Sequence, residues 1–524
     1  ARLSTVFSHE PSGLVRFRRP ALQEVAYASL PFKLRRQLHE AVGLQLEREL
    51  AESGEREAEA AVLSHHFALA GDHARAQRYA LIAARRATER SAPADAVQLY
   101  RRAIDAARAS GVAEDPQALA EAWEQMGEEL RRVGEPAAAR RALREARRLL
   151  CDDPIAQARL CDRQAEVAER SEGLTSAVRW LMRGVRSVAE FDSPEAVSSR
   201  ARLHSHLAGI RNRQARWAEA VRVGRQAIAE AEAAGELRAL ARACYGVDWA
   251  LRESGRAAEA NNSWRALEIY ERLDIPEEEA RVLNNLATFA YLDGRWDDAI
   301  ALYRRSRDAS ERARTPADVA RTDCSIGEIL SDQGRLEEAA EHLSRARRVW
   351  SATAERHSVA FADLLLARLA TRRGEGGNAV PKLEAAMREL RRFSMDPYAS
   401  LAEALLAEAE AFGGDPERAL QLAREQLELT DRHLPLLARV AGIALARLGR
   451  TDEARDELRG ALRSARERRS EYDVAATIDV IDILEGAGEE LLRERDAIVA
   501  RLRITRLPAP ALAGSASGTT APVG

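Results

Sequence analysis

The chain has 524 residues, a formal net charge of −3 and only 5% aromatic residues. A nearly balanced charge gives no general attraction to nucleic acid or to an anionic membrane. No apolar run reaches the ~18 residues of a membrane span and no signal peptide opens the chain, so a cytoplasmic protein is expected.

The segment 1–57 has a pattern of its own. In "TVFSHEPSGLVRFRRP" two short β-prone runs flank "EPSG", the signal of a hairpin. "ALQEVAYASL" and "PFKLRRQLHEAVGLQLEREL" then read as two helices. Hairpin followed by helices is the expected end of a winged-helix module, residues 1–57. The chain opens at Ala1 without a domain start, which suggests a piece of a longer protein.

Residues 58–507 repeat. In "LNNLATFAYLDGRWDDAIALYRRS" (283–306), Leu283, Leu286, Ala287 and Ala290 share one helical spacing, and Trp296, Ala299, Ile300 and Tyr303 share another. The glycine of "LDGR" can take positive φ and end the first helix, while the alanines remove bulk where two backbones cross. The same turn recurs at Gly134, Gly255, Gly294, Gly334, Gly374, Gly414 and Gly449, with Gly173 and Ala215 filling the gap. These turns are nearly evenly spaced, with a period of about 40 residues, the mark of a repeat architecture. Pro116, Pro154, Pro194, Pro276, Pro316 and Pro397 each stand one helix length ahead of a turn residue. Several follow an Asp, Ser or Thr, so each unit reads as cap, helix, turn, helix, loop. One hairpin cannot bury its own apolar face, so about eleven stacked hairpins are expected to share a core as an all-α solenoid. Residues 508–524, "PAPALAGSASGTTAPVG", are too poor in large apolar residues to fold and read as a disordered tail.

Candidate chemistry is sparse. His65 with His66, and His204 with His206, are spaced so that each pair points to different helix faces, unlike the i, i+4 spacing of a helical metal site. Cys151, Cys161, Cys244 and Cys324 are scattered and read as small buried residues. Acidic and arginine residues alternate in "RALREARRLL" as on solvated helix faces. No motif cradles phosphate, and the chain's only lysines are Lys33 and Lys382. No catalytic cluster, metal site or cofactor is expected within the chain.

The placement of Leu, Ala, Gly and an aromatic residue around each turn resembles the tetratricopeptide repeat, here with a longer period than the familiar one. The residues Phe17, Arg18, Glu24, Ala26, Tyr27, Leu30, Arg35, Arg36, Leu38 and His39, continued through 63–107, look like the junction of bacterial AAA-type and STAND-type signalling ATPases. There a winged helix follows the ATPase core and leads into repeats. That resemblance implies a regulatory sensor arm, an N-terminal ATPase in cis with ATP and Mg as its cofactors, and often a class III adenylate or guanylate cyclase ahead of it. The family's Phe-x-His histidine, which reaches nucleotide phosphates, is replaced by Arg19, a candidate phosphate contact in the whole protein. The concave groove is expected to hold a protein or peptide, with Tyr245, Trp249, Asn285 and Arg321 as its candidate contacts. A free-standing tetratricopeptide adaptor is the alternative expectation.

Overall fold

The computed structural model describes residues 7–9, 15–17, 19–53, 58–110, 116–393, 395–429 and 434–510. Two three-residue strands, β1 (Phe7–His9) and β2 (Val15–Phe17), pair antiparallel with Phe7 opposite Phe17. The "EPSG" connection and the 57/58 boundary lie outside the described residues, as do residues 511–524. Helices α1 (Pro20–Ser29) and α2 (Phe32–Ser53) follow, as expected for the opening segment.

Among the described residues helices dominate after α2, and the chain divides into two compact units, Ala1–Asn262 and Ser263–Gly524. Unit 1 carries α3 (Ala60–Ala70), α4 (His73–Glu89), α5 (Pro93–Ala109), α6 (Pro116–Arg132), α7 (Pro136–Leu149), α8 (Pro154–Ser171), α9 (Leu174–Ser187), α10 (Pro194–Arg213), α11 (Trp217–Ala234) and α12 (Leu237–Glu253). Unit 2 carries α13 (Ser263–Arg272), α14 (Pro276–Leu292), α15 (Trp296–Arg312), α16 (Pro316–Asp332), α17 (Leu336–Ala352), α18 (Arg356–Arg372) and α19 (Gly376–Arg392). It continues through α20 (Asp396–Gly413), α21 (Pro416–Leu429), α22 (Leu434–Arg447), α23 (Thr451–Glu467), α24 (Glu471–Glu485) and α25 (Glu489–Leu502). The expected all-α repeat fold is the observed one.

The hairpin at residues 283–306 shows why. Ala287, Ala290 and Ala299 are fully buried, and Leu283, Leu286, Trp296, Ile300 and Tyr303 keep 7% exposure or less. Small residues let α14 and α15 approach while the large ones fill the seam. Gly294 has φ +74° and its N–H bonds the Tyr291 carbonyl. A Cβ there would lie 3.0 Å from Glu471 Oε2. Gly294→Val is therefore expected to lower stability by about 1–3 kcal/mol, read as a fall in the thermal midpoint. An unchanged midpoint would overturn this account of the turn.

Three details depart from the expected repeat. Gly414 ends α20 with φ −105°, so that turn needs no left-handed residue; Glu410 accepts the Asp415 N–H instead. Thr315 does not cap α16, because its hydroxyl bonds the Ser310 carbonyl; Asp153 and Ser193 do cap α8 and α10. At Gly255, which has φ +75°, the second helix does not start at once. A short 3-10 turn (Ala257–Glu259) intervenes, and the buried Asp248 carboxylate accepts the Asn262 backbone N–H at 2.7 Å. Ten complete hairpins result among the described residues, and the interruption coincides with the division between the units.

Within each unit, first helices meet first helices: α8 touches α10 in unit 1, and α18, α20, α22 and α24 touch in sequence in unit 2. Second helices pack mainly against their own and the next first helix, which leaves two layers. Among the described residues no helix is long and apolar enough to cross a membrane.

Candidate functional site

The candidate contacts read from the sequence fall on both units. Tyr245 and Trp249 lie one turn apart on α12 of unit 1, each partly exposed, whereas Asn285 on α14 and Arg321 on α16 belong to unit 2. Asn285 is partly exposed, and Arg321 is exposed and paired with Asp318 one turn earlier. Arg19 occupies the position before α1, exposed, its carbonyl accepting from Leu22 and Gln23. One exposed guanidinium at a helix start supplies charge without an enclosing cavity.

The histidines are more engaged than their spacing announces. His206 is 3% exposed and sits between Asp162, 2.6 Å from Nδ1, and Glu169 at Nε2. Burial opposes its charged form, but these two carboxylates outweigh burial and raise its pKa above the usual histidine value. His204 bonds Glu230 at 2.7 Å. His39, on α2, links Tyr27 Oη at 2.8 Å to His66 Nδ1 at 3.0 Å. Burial lowers the pKa of His39, His65 and His66. Among the described residues no group of three or more His, Cys, Asp or Glu is arranged to hold a metal. Cys161, Cys244 and Cys324 are buried as expected, but Cys151 is exposed because it follows the last turn of α7.

A dense polar site outside the candidate contacts lies on the first-helix layer of unit 2. Asp332 and Arg372 are each 5% exposed, Glu408 2% and Arg439 4%. Arg372 Nη2 stands 2.7 Å from Asp332 Oδ1, its Nη1 donates to the Ser331 carbonyl at 3.0 Å, and its guanidinium lies 5.2 Å from the Tyr472 ring centroid. Arg368 reaches the same Asp332 oxygen at 3.2 Å, and Arg439 bonds Asp473 at 2.7 Å. Glu328 retains some accessible surface, yet the protein mass around it dominates. Burial, opposed by Arg368 and aided by Asp332, pushes its carboxyl up to about 7. Burial likewise holds the Tyr291 phenol well above its usual value, with Asp332 and Glu328 adding to the effect. The Tyr472 hydroxyl, Glu408 Oε2 and Arg368 Nε make no hydrogen bond within the described residues.

The sequence does carry a signal for this site. Trp249, Thr288, Glu328, Arg368 and Glu408 all occupy the same register ahead of Gly255, Gly294, Gly334, Gly374 and Gly414. Trp249 stands out at this position of the repeat as an aromatic residue, whereas the charged residues that take its place in later repeats look like ordinary surface charge.

The end of unit 2 folds back over its own early turns. Gln333 donates from Nε2 to the Leu502 carbonyl at 3.0 Å, and its carbonyl accepts from the Thr505 N–H and hydroxyl, both at 2.8 Å. Arg503 pairs with Asp297 at 2.7 Å, and the Tyr472 and Trp296 rings lie 6.1 Å apart. Gly334 allows this approach: a Cβ there would lie 2.6 Å from the Arg506 carbonyl oxygen. Of the expected tail, residues 508–510 are described, and Pro510 is buried.

No curated protein matches the sequence. A solved structure of BtubC (BKLC) from P. vanneervenii is 22% identical, covering 42% of this chain and 91% of that one, with a TM-score of 0.36. The Rap conjugation gene regulator of plasmid pLS20, solved with the Phr* peptide, is 12% identical over 56% of this chain and 84% of that one, with a TM-score of 0.39. The STAND protein with a tetratricopeptide repeat sensor, PH0952 from Pyrococcus horikoshii, is 14% identical with a TM-score of 0.43; the match covers 81% of this chain and 56% of that one. Residues 278–352, the hairpins α14–α15 and α16–α17, match the tetratricopeptide repeat family, in agreement with their hairpin fold.

Proposed function

We propose that this chain is the regulatory interaction arm of a signal-transduction ATPase, not itself an enzyme. Its repeats receive a protein or peptide segment, and the segment 1–57 passes the change to an ATPase in cis that binds ATP and Mg, with a nucleotide cyclase as the regulated output. The observation that carries the interaction reading is the charged first-helix layer of unit 2, where Glu328, Arg368 and Glu408 recur with the repeat and Arg372 lies one turn after Arg368. Atoms there that make no hydrogen bond among the described residues, such as Glu408 Oε2 and the Tyr472 hydroxyl, gain most from an incoming polar group. The ATPase and cyclase rest on the junction residues from Phe17 to His39, where Arg19 would reach a phosphate bound by the preceding domain.

Such an arm biases a two-state ATPase and performs no chemistry. Deleting residues 91–507 from the whole protein is expected to change nucleotide turnover and its response to signal. Calorimetry of this chain alone is expected to show no micromolar ATP binding. Unchanged activity and signal response after the deletion, or tight ATP binding by the chain alone, would refute the reading.

A further inference from the structure

A run of surface arginines without a carboxylate in salt-bridge range among the described residues lines one face of unit 1. Three clefts of about 440, 630 and 390 Å³ lie along the second helices α5, α7 and α9. The first and second share Arg141 and Arg144 as lining, and the second and third share Trp180 and Arg183, so they form one continuous groove. Nine arginines line it against three acidic residues, Asp105, Glu145 and Glu172. Two of those acids are already engaged, Glu145 by Arg148 and Glu172 by Arg140. Among the described residues Arg141, Arg144, Arg179, Arg183 and Arg186 have no carboxylate partner in salt-bridge range, although all five are exposed and belong to regular helices.

Two tryptophans of the groove stack against three of its cations. Arg147 lies 5.1 Å and Arg183 5.7 Å from the Trp180 ring centroid, and Arg108 lies 5.1 Å from that of Trp123. A guanidinium stacked on a ring has lost rotamer freedom yet keeps its N–H edge free for a bidentate oxyanion. Burial lowers the Arg147 pKa, with Arg183 adding to the effect.

From this geometry we propose that the α5–α7–α9 groove is a docking surface for an acidic, extended protein segment, whose carboxylates take the free edges of Arg141, Arg144, Arg179 and Arg183. Single-stranded nucleic acid is the other elongated polyanion. It would need bare aromatic faces on which bases stack, and the Trp180 and Trp123 rings carry guanidiniums. The groove lies on the second helices of unit 1, so this site goes beyond the first-helix reading and stands or falls separately from it.

Anisotropy of a fluorescein-labelled dodecapeptide (Asp-Glu-Gly)₄ tests the proposal on the full chain, with the Lys counterpart and a dT12 oligonucleotide as comparisons. Saturable binding of the acidic peptide alone is expected, weakening roughly tenfold when salt rises from about 50 to 300 mM. Arg144→Glu combined with Arg183→Glu should weaken it at least about tenfold, whereas Arg222→Glu on α11 should leave it unchanged. Both altered positions are exposed, and the thermal midpoint checks folding; should the pair fail to fold, Arg179→Glu with Arg186→Glu takes its place. No saturable binding, equal loss in the Arg222→Glu chain, or dT12 binding as tight as the peptide would each overturn the proposal.

Discussion

Replacing Arg372 with methionine is expected to lower the unfolding free energy of the chain by about 3–5 kcal/mol, the cost typical of removing one partner of a buried ion pair. Methionine keeps most of the apolar stem and volume, so the effect measured is the lost guanidinium rather than a cavity. That guanidinium faces the 5%-exposed Asp332 carboxylate, bonds the Ser331 carbonyl and stacks over Tyr472. Its removal leaves Asp332 with Arg368 alone, at 3.2 Å. This remaining contact places the expected cost toward the lower end of the range. Replacing both Arg372 and Asp332 with apolar residues should cost less than Arg372→Met alone, because no uncompensated charge then remains. Urea unfolding followed by circular dichroism measures all three chains. A loss below about 1 kcal/mol for the single variant would show that the pair behaves as a surface contact.

The contrast between Arg372 and the repeat scaffold explains what a sequence can reveal. Gly134, Gly173, Gly255, Gly294, Gly334, Gly374 and Gly449 all have positive φ, and Ala215 has φ +55° in the gap they leave. Turn and helix signals are local: a glycine, a proline and an apolar spacing at the helical period are enough to locate them. Gly414 escapes because its loop uses the Glu410 side chain in place of a left-handed residue, a choice made by atoms outside the glycine. Thr315 escapes for a similar reason, since its hydroxyl has a second acceptor in Ser310.

Long-range contacts leave a fainter trace. Nothing local in Gln333 shows that it bonds Leu502 and Thr505, because that contact depends on how successive hairpins of unit 2 are arranged. The charged layer lies between these extremes. Its period is readable at Glu328, Arg368 and Glu408, but alternating charge on an arginine-rich helix has the same pattern on a solvated face. Trp249 shares the register of Glu328, Arg368 and Glu408, whereas Tyr245, Asn285 and Arg321 stand at other positions of their helices, so the candidate contacts meet the charged layer's register at one residue only.

Glu328→Gln is expected to stabilise the chain at pH 8 and to leave it unchanged near pH 4.5, with the difference read by urea unfolding at each pH. Burial penalises the ionised carboxylate, so its pKa rises from 4.5 to about 7 in the folded chain. Between those values the folded chain holds a proton that the unfolded chain has released. Stability therefore falls as pH rises through this window, and the full penalty is present above about 7. A shift of this size corresponds to roughly 3 kcal/mol, and the accessible surface left on Glu328 reduces the expected difference to about 2 kcal/mol. Arg368 attracts the carboxylate and Asp332 repels it, and both effects are already contained in the raised value. Glutamine keeps the shape and removes the charge, so subtracting wild type from variant isolates this one group. His206 in unit 1 also loses its contribution as pH rises, since its folded pKa is raised as well, but it is common to both chains and cancels. A variant whose stability parallels wild type from pH 4.5 to 8 would show that Glu328 is solvated like a surface carboxylate. The first-helix layer of unit 2 would then be an open polar face, and the Arg372→Met cost would fall with it.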